Sequence, residues 1–209
     1  AMKKLGIKNI HYMYPNLPVH QHFQKQLAPE VYNELKSEVL YVGMCYKTSW
    51  GLKKAKCLSC FEECDLHIHD DDSWPRWFSH FPELQKRYKP RGGGSHITVE
   101  KLNDMYNATK IAPVDANPGL LNAIHWRFVE ALCSGALPVM EWQQNVVEIF
   151  GDADVPVLRN FEDAPEVTRY YLNHEDKRVE KVAWMRKIME EKYSIKNNAE
   201  FLSHTLRLD

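Results

Sequence analysis

Asn117–Val139, NPGLLNAIHWRFVEALCSGALPV, is the stretch that decides the fold. It opens as a loop, becomes a helix that is apolar nearly all round, breaks at Gly135 and ends in a buried-strand run, Ala136-Leu137-Pro138-Val139-Met140. Outward from it, short apolar or β-branched runs alternate with longer stretches of helical period, the signature of an α/β domain with a mostly parallel sheet flanked by helices. Strands are expected at Asn9–Tyr14, Glu38–Gly43, Asp65–His69, Lys110–Val114, Ala136–Met140 and Val155–Leu158. The second of these is nearly continuous in apolar residues, as a parallel strand buried on both faces should be.

The intervening segments carry helical signals. Trp50, Cys57, Cys60, Phe61 and Cys64 return to one face at 3.6 residues per turn, which predicts a helix over 50–64 packed on the sheet. Thr98 is placed to cap a helix turning Val99, Leu102 and Tyr106 inward, and Asp163 with Pro165 and Glu166 gives a capping-box-like start to one carrying Val167, Tyr170 and Tyr171. From Asp176 to Tyr193 the pattern is wholly helical, the apolar positions Val179, Val182, Ala183, Met189 and Tyr193 alternating with charges, and a last helix covers about Ile195 to Leu206. There are no repeats and no long linker, so residues 1–209 read as one domain, with 176–209 a C-terminal helical extension.

Composition narrows the classes. The 209 residues hold 27 Lys+Arg against 28 Asp+Glu, with 44% apolar and 26% charged residues, which fits an ordinary globular chain and excludes a disordered tail. A formal charge of −1 supplies no basic surplus to track a phosphate backbone, so nucleic acid is not an expected partner. No apolar run reaches the roughly 18 residues of a membrane span, and the start has no apolar signal core. Five cysteines, an odd number in a chain large enough to bury its own core, point to a reducing cytoplasm rather than a disulfide framework. Ala1 precedes Met2 as an expression remnant would, which leaves two readings of Met2, a native start or an internal residue of a larger protein.

Several clusters could carry chemistry. Lys89-Pro90-Arg91-Gly92-Gly93-Gly94-Ser95 is glycine-rich but lacks the Lys-Ser/Thr of a phosphate loop, so a flexible connector is expected. Cys57, Cys60, Cys64, His67 and His69 invite a zinc reading, yet on one helix Cys57 and Cys64 would stand about 10 Å apart, whereas sulfurs sharing a zinc ion lie within about 4 Å. Buried hydrophobic thiols and no metal are expected instead. The Asp70–Asp72 run reads first as a solvated acidic turn and second as a divalent-ion site. Arg127 and Glu130 interrupt the apolar helix on one face, three residues apart. Either they pair with each other, or Glu130 accepts hydrogen bonds from a sugar diol while Arg127 meets an anion beside the helix N-terminus.

The run Arg127-Phe128-Val129-Glu130-Ala131-Leu132-Cys133-Ser134-Gly135-Ala136-Leu137-Pro138-Val139 resembles the R-x-F-E-A-L-A-x-G-x-x-P/L-V/L segment of GT-B glycosyltransferases, especially the CgeB-like (spore-maturation-protein-like) group. Flanking features agree in order: Glu38–Gly43 is similar to that group's FVG strand, Asp65 through Trp74 to D-L-x-I-y-G-x-x-W, Leu102–Ile111 to L-x-x-x-Y-x-x-s-K-I, and Thr168–Asp176 to I-x-Y-Y-L-x-H-P-E. The resemblance implies a Rossmann-like second half of a GT-B fold, which binds a nucleotide-sugar donor, needs no cofactor or metal, and faces an N-terminal GT-B domain if the chain belongs to a longer protein. It implies that Glu130 holds the donor ribose, that Arg127 approaches the diphosphate, and that the Gly43 turn with Lys47 faces the phosphates. It also implies that His96 with Ile97 touches the base and that Asn117 and Asn122 belong to the donor site. The catalytic base is expected in the absent half, so this chain should bind donor better than it turns it over.

Two departures stand out. Asn122 occupies the first position of the E-x7-E pattern of related families, and Asp70 stands where the group has Gly. Competing readings are a fucosyltransferase- or exostosin-like transferase, which shares an A-L-x-A-G-x-x-P-V-V segment, and a non-catalytic nucleotide-binding module that kept only the fold.

Overall fold

A computed structural model describes residue 6 and residues 16–206, apart from 71, 91–95, 117–123 and 152–154. In chain order its elements are α1 (Pro29–Leu35), β1 (Ser37–Val42), α2 (Ser49–Ser59), β2 (Leu66–Asp70), α3 (Pro82–Arg87), β3 (Tyr88–Pro90), α4 (Val99–Asn107) and β4 (Thr109–Val114). There follow α5 (Trp126–Ser134), β5 (Leu137–Glu141), α6 (Gln144–Phe150), β6 (Val157–Leu158), α7 (Ala164–Asn173), α8 (Glu175–Tyr193) and α9 (Ile195–Leu206). All six strands pair in parallel in the order β3-β2-β1-β4-β5-β6. The chain thus runs outward from β1 to β3, then crosses back to lay β4 on the other side of β1. That crossover makes a switch point between the carboxyl ends of β1 and β4, where open α/β sheets hold their ligands.

Alternation along β1 divides the core. Val39 and Tyr41 join a larger cluster with Ala55 and Leu58 of α2, whereas Leu40 joins a smaller one with Leu35 of α1 and with Met105 and Tyr106 of α4. In α5 only Trp126 and Glu130 escape full burial. Gly135 ends that helix at φ +91°, where the Ala136 amide donates to the Ala131 carbonyl at 3.0 Å. A Cβ there would lie 2.6 Å from Gln24 Nε2, so the αL cap and the close approach both select glycine. α8 packs back over α5, α6, α7 and β5. No helix among the described residues is long and apolar enough to cross a membrane.

The Rossmann-like parallel sheet flanked by helices agrees with the sequence reading, with differences in detail. The run at 9–14 lies outside the described residues. The sixth strand is instead β3, three residues at the sheet edge ending in Pro90, too short to show alternation and tolerant of proline because an edge leaves one side unpaired. The helix expected over 50–64 stops at Ser59, and tight turns continue it: Phe61 N–H donates to Leu58 O and Cys64 N–H to Phe61 O, both at 3.1 Å. Cys57, Phe61 and Cys64 are buried, while Trp50 is exposed.

Thr98 does cap α4, its hydroxyl accepting the Lys101 amide at 3.2 Å, but the buried face is Asn103, Met105 and Tyr106, with Val99 outside. The capping box near α7 joins Asn160 to Asp163 one turn earlier than expected, and Thr168 and Tyr171 face in rather than Tyr170. α8 buries Val182, Met185 and Met189 but exposes Val179 and Ala183, because its charges circle most of the helix and leave a narrow apolar stripe. α9 begins and ends where expected.

Candidate functional site

At the switch point, β1 delivers Tyr41 and Val42, the residue after β4 is Asp115, and the first turn of α5 brings Arg127. Arg127 is 5% exposed. Its Nη1 donates to Asp115 Oδ1 at 2.9 Å, and its Nε and Nη2 donate to the Val42 carbonyl at 3.3 and 3.0 Å. The guanidinium carbon stands 4.1 Å from the centroid of the Tyr41 ring, and the Tyr41 hydroxyl donates to the same Asp115 oxygen at 3.0 Å. Lys54, from α2, completes the cluster 3.6 Å from Asp115 Oδ2.

Burial alone would raise the Asp115 carboxyl, but Arg127, Lys54 and the Tyr41 hydroxyl outweigh it and hold the group below the usual carboxylate range. Burial drives Tyr41 well above its ordinary value and Lys54 below its own, Asp115 opposing the latter. Charges this deep persist only when paired and hydrogen-bonded.

The loop from Gly43 to Thr48 links β1 to α2, and side chains from other segments fix its backbone. Trp74 Nε1 donates to Gly43 O at 2.9 Å, Lys54 Nζ to Met44 O at 2.8 Å and Trp77 Nε1 to Tyr46 O at 3.2 Å, while Cys45 N–H donates to Ser73 Oγ at 2.7 Å. Ser73 in turn hydrogen-bonds the 1% exposed carboxylate of Asp70. Asp70, which departs from the glycine of the resembled motif, therefore anchors this loop from the end of β2. Gly43 itself has φ +151°, and a Cβ on it would meet Arg127 Nη2 at 2.7 Å.

A narrow crevice opens here, lined among others by Tyr46, Trp50, Lys54, Asp115, His125 and Glu141. Lys53 pairs with Glu141 at 2.6 Å, and Glu141 accepts the Ala116 amide at 2.8 Å, tying the end of β5 to the residues after β4. His125 caps α5: its Nδ1 accepts the Arg127 amide at 3.1 Å. Burial, then the neighbouring Arg127 charge, lower its pKa to about 4. The ring is neutral, and with Nδ1 accepting, its proton sits on Nε2.

The structure brings some of the sequence-predicted site residues together. Gly43 and Arg127 lie side by side, with no room for a side chain on the glycine. Lys47 is exposed on the same loop, and His96 is exposed just before the Thr98 cap. Glu130 stands one turn beyond Arg127 and half-buried, on the side where its charge acts on Tyr106 of α4. It is outside the lining of the crevice. Burial raises its carboxyl, Arg127 opposing. The ion pair that Arg127 could have made with Glu130 goes to Asp115, so the guanidinium is already engaged rather than open to an incoming anion. Among the described residues no hydrogen bond or ion pair holds the Glu130 carboxylate.

Asn117 and Asn122 lie outside the described residues. Cys57 and Cys64 belong to the core, with burial pushing both thiols up, Cys64 to about 11. No group of three or more His, Cys, Asp or Glu among the described residues is arranged to hold a metal ion. Sequence reasoning missed Tyr41, Lys54, Asp115, His125 and Glu141. Only His125 gave a signal, a polar ring immediately before the apolar helix.

A family model described as glycosyl transferase-like matches residues 50–204. No curated protein matches the chain. Among solved structures it is similar to HepE of Anabaena in complex with UDP and glucose, at 11% identity and TM-score 0.66 over 94% of this chain and 56% of that one. It is also similar to a glycosyltransferase from Rickettsia africae, at 13% identity and TM-score 0.59 over 94% of this chain and 57% of that one. TarM aligns at 16% identity and TM-score 0.57 over 95% of this chain and 37% of that one. At these identities the likeness is one of fold, and the chain spans little more than half the length of the first two.

Proposed function

Because the chain belongs to the glycosyl transferase-like family, we propose that it is the donor-binding half of a two-domain GT-B transferase and holds a nucleotide diphosphate sugar across the switch point. The sequence motifs favour the CgeB-like group within that family. One observation carries the reading: Glu130 is a half-buried carboxylate with no hydrogen bond or ion pair among the described residues, while the basic residue three positions away pairs with Asp115 instead. An acid held partly out of water and unpaired is what a ribose diol needs as an acceptor of two hydrogen bonds.

In this arrangement Lys47 and the fixed loop after Gly43 face the diphosphate, the backbone around His96 and Ile97 meets the base, and Asn117 and Asn122 lie towards the sugar. Arg127 acts indirectly, by holding Val42 and Asp115 in register. The departing nucleoside diphosphate is stabilised without a metal by the N-terminus of α5 and nearby cations. The acceptor site and the general base come from an N-terminal domain, so this half binds donor without efficient turnover. The UDP bound in HepE makes uridine diphosphate the first probe.

Calorimetric titration with UDP, GDP and ADP tests the proposal. One of the three should bind, and Glu130→Ala should weaken it by about 1.5–3 kcal/mol with the thermal midpoint kept. An unchanged affinity in a folded variant overturns the Glu130 assignment. If none of the three binds, the donor-site reading falls and the chain is a binding module of another kind.

A further inference from the structure

We propose that His125 is a donor-recognition residue whose Nε2–H hydrogen-bonds a diphosphate oxygen of the bound nucleotide sugar, an inference that rests on the donor-site reading above. The ring lines the crevice at the switch point. Its Nδ1 is occupied by the Arg127 amide at 3.1 Å, which fixes the tautomer and leaves Nε2 as a hydrogen-bond donor. Nothing among the described residues accepts that proton.

The residue type supports the same conclusion. Capping a helix needs one acceptor, which Ser, Thr, Asp and Asn supply in a smaller volume. Histidine supplies the acceptor and, on the opposite edge of the ring, a donor. An Asp cap would bring a second negative charge towards Asp115, which lines the same crevice and is already paired with Arg127 at 2.9 Å. A neutral donor can instead reach a phosphate oxygen without disturbing that pair, and the two carboxylates on the same crevice are each answered by a lysine, Asp115 by Lys54 and Glu141 by Lys53. His125 therefore links the fold of α5 to the ligand through one ring.

Two substitutions separate the cap from the recognition role. His125→Ser keeps a capping oxygen and removes the donor, whereas His125→Asn keeps both. Calorimetry with UDP, GDP and ADP, and with uridine as the phosphate-free control for UDP, reads the difference. His125→Ser should weaken the nucleoside diphosphate that binds by about threefold to tenfold, leave uridine binding and the thermal midpoint unchanged, and be rescued by His125→Asn. Equal affinity for wild type and a folded His125→Ser overturns the proposal while leaving the donor site standing. Failure of wild type to bind any of the three overturns both.

A nitrogen-15 spectrum of the wild-type imidazole needs no variant to fold. The protonated nitrogen should be Nε2, and its resonance should move when the diphosphate is added. A resonance that stays in place at saturation overturns the assignment.

Discussion

Arg127 and Glu130 leave the same helix three residues apart, yet they occupy opposite electrostatic situations. Around Arg127 each guanidinium nitrogen donates a hydrogen bond, to Asp115 or to the end of β1, and the plane lies against the face of Tyr41. Around Glu130 no hydrogen bond or ion pair among the described residues answers the charge, and burial raises its carboxyl against the opposing pull of Arg127. The difference teaches how a scaffold and a site share one helix: charge that is fully paired fixes geometry, and charge left unpaired is available for something else to bind.

The sharpest way to break that contrast is to remove a partner from the paired side. Asp115→Ala leaves Arg127 buried without its counter-ion and should destabilise the protein by about 3–5 kcal/mol in chemical denaturation. Glu130→Gln should leave the same measurement unchanged or slightly raised, since it removes a carboxylate that burial disfavours. Equal losses would abolish the distinction.

Acid provides the second test. The His125 pKa is depressed in the folded state, to about 4, so the unfolded chain takes up the proton first as pH falls through its ordinary value near 6.5. Stability is present above that value and is lost as pH drops towards 4, by less than about 3 kcal/mol. Asp115, also depressed, adds a loss only at lower pH, as its folded carboxyl protonates. His22 and His67 are lowered too, so His125→Ser should remove part of the loss between 6.5 and 4, visible in denaturation midpoints across that window.

Gly43→Ala probes the contact between the loop and Arg127. The added methyl presses on Nη2 and should cost about 1–3 kcal/mol. A smaller loss would mean that the guanidinium can give way. Lys47→Ala, on the exposed side, should change stability by less than about 0.5 kcal/mol while weakening nucleoside diphosphate binding in a salt-dependent way.

Sequence patterns revealed the middle of the sheet because β1, β4 and β5 are long enough to show continuous apolar character, whereas the edge strand β3 is not, and they revealed α5 because Arg127 and Glu130 stand out against its apolar neighbours. They could not reveal Asp115 as the partner of Arg127. That pair joins positions 12 apart across a loop, and no periodicity marks it. Lys54 was hidden for a different reason: within Leu52-Lys53-Lys54-Ala55-Lys56 it looks like one more solvated cation, yet against Asp115, the Met44 carbonyl and the rings of Tyr41 and Tyr46 it is 8% exposed. The Cys57–Cys64 stripe was right about burial and wrong about form, because tight turns after Ser59 carry the same side chains inward without an α-helix.

The loop after β1 is held at four successive residues by side chains of Trp74, Lys54, Ser73 and Trp77. Its shape is settled when the domain folds, so a molecule arriving there loses little affinity to ordering the protein. Discrimination at that wall then works by rejection: a guest of the wrong outline meets a surface that does not adjust to it.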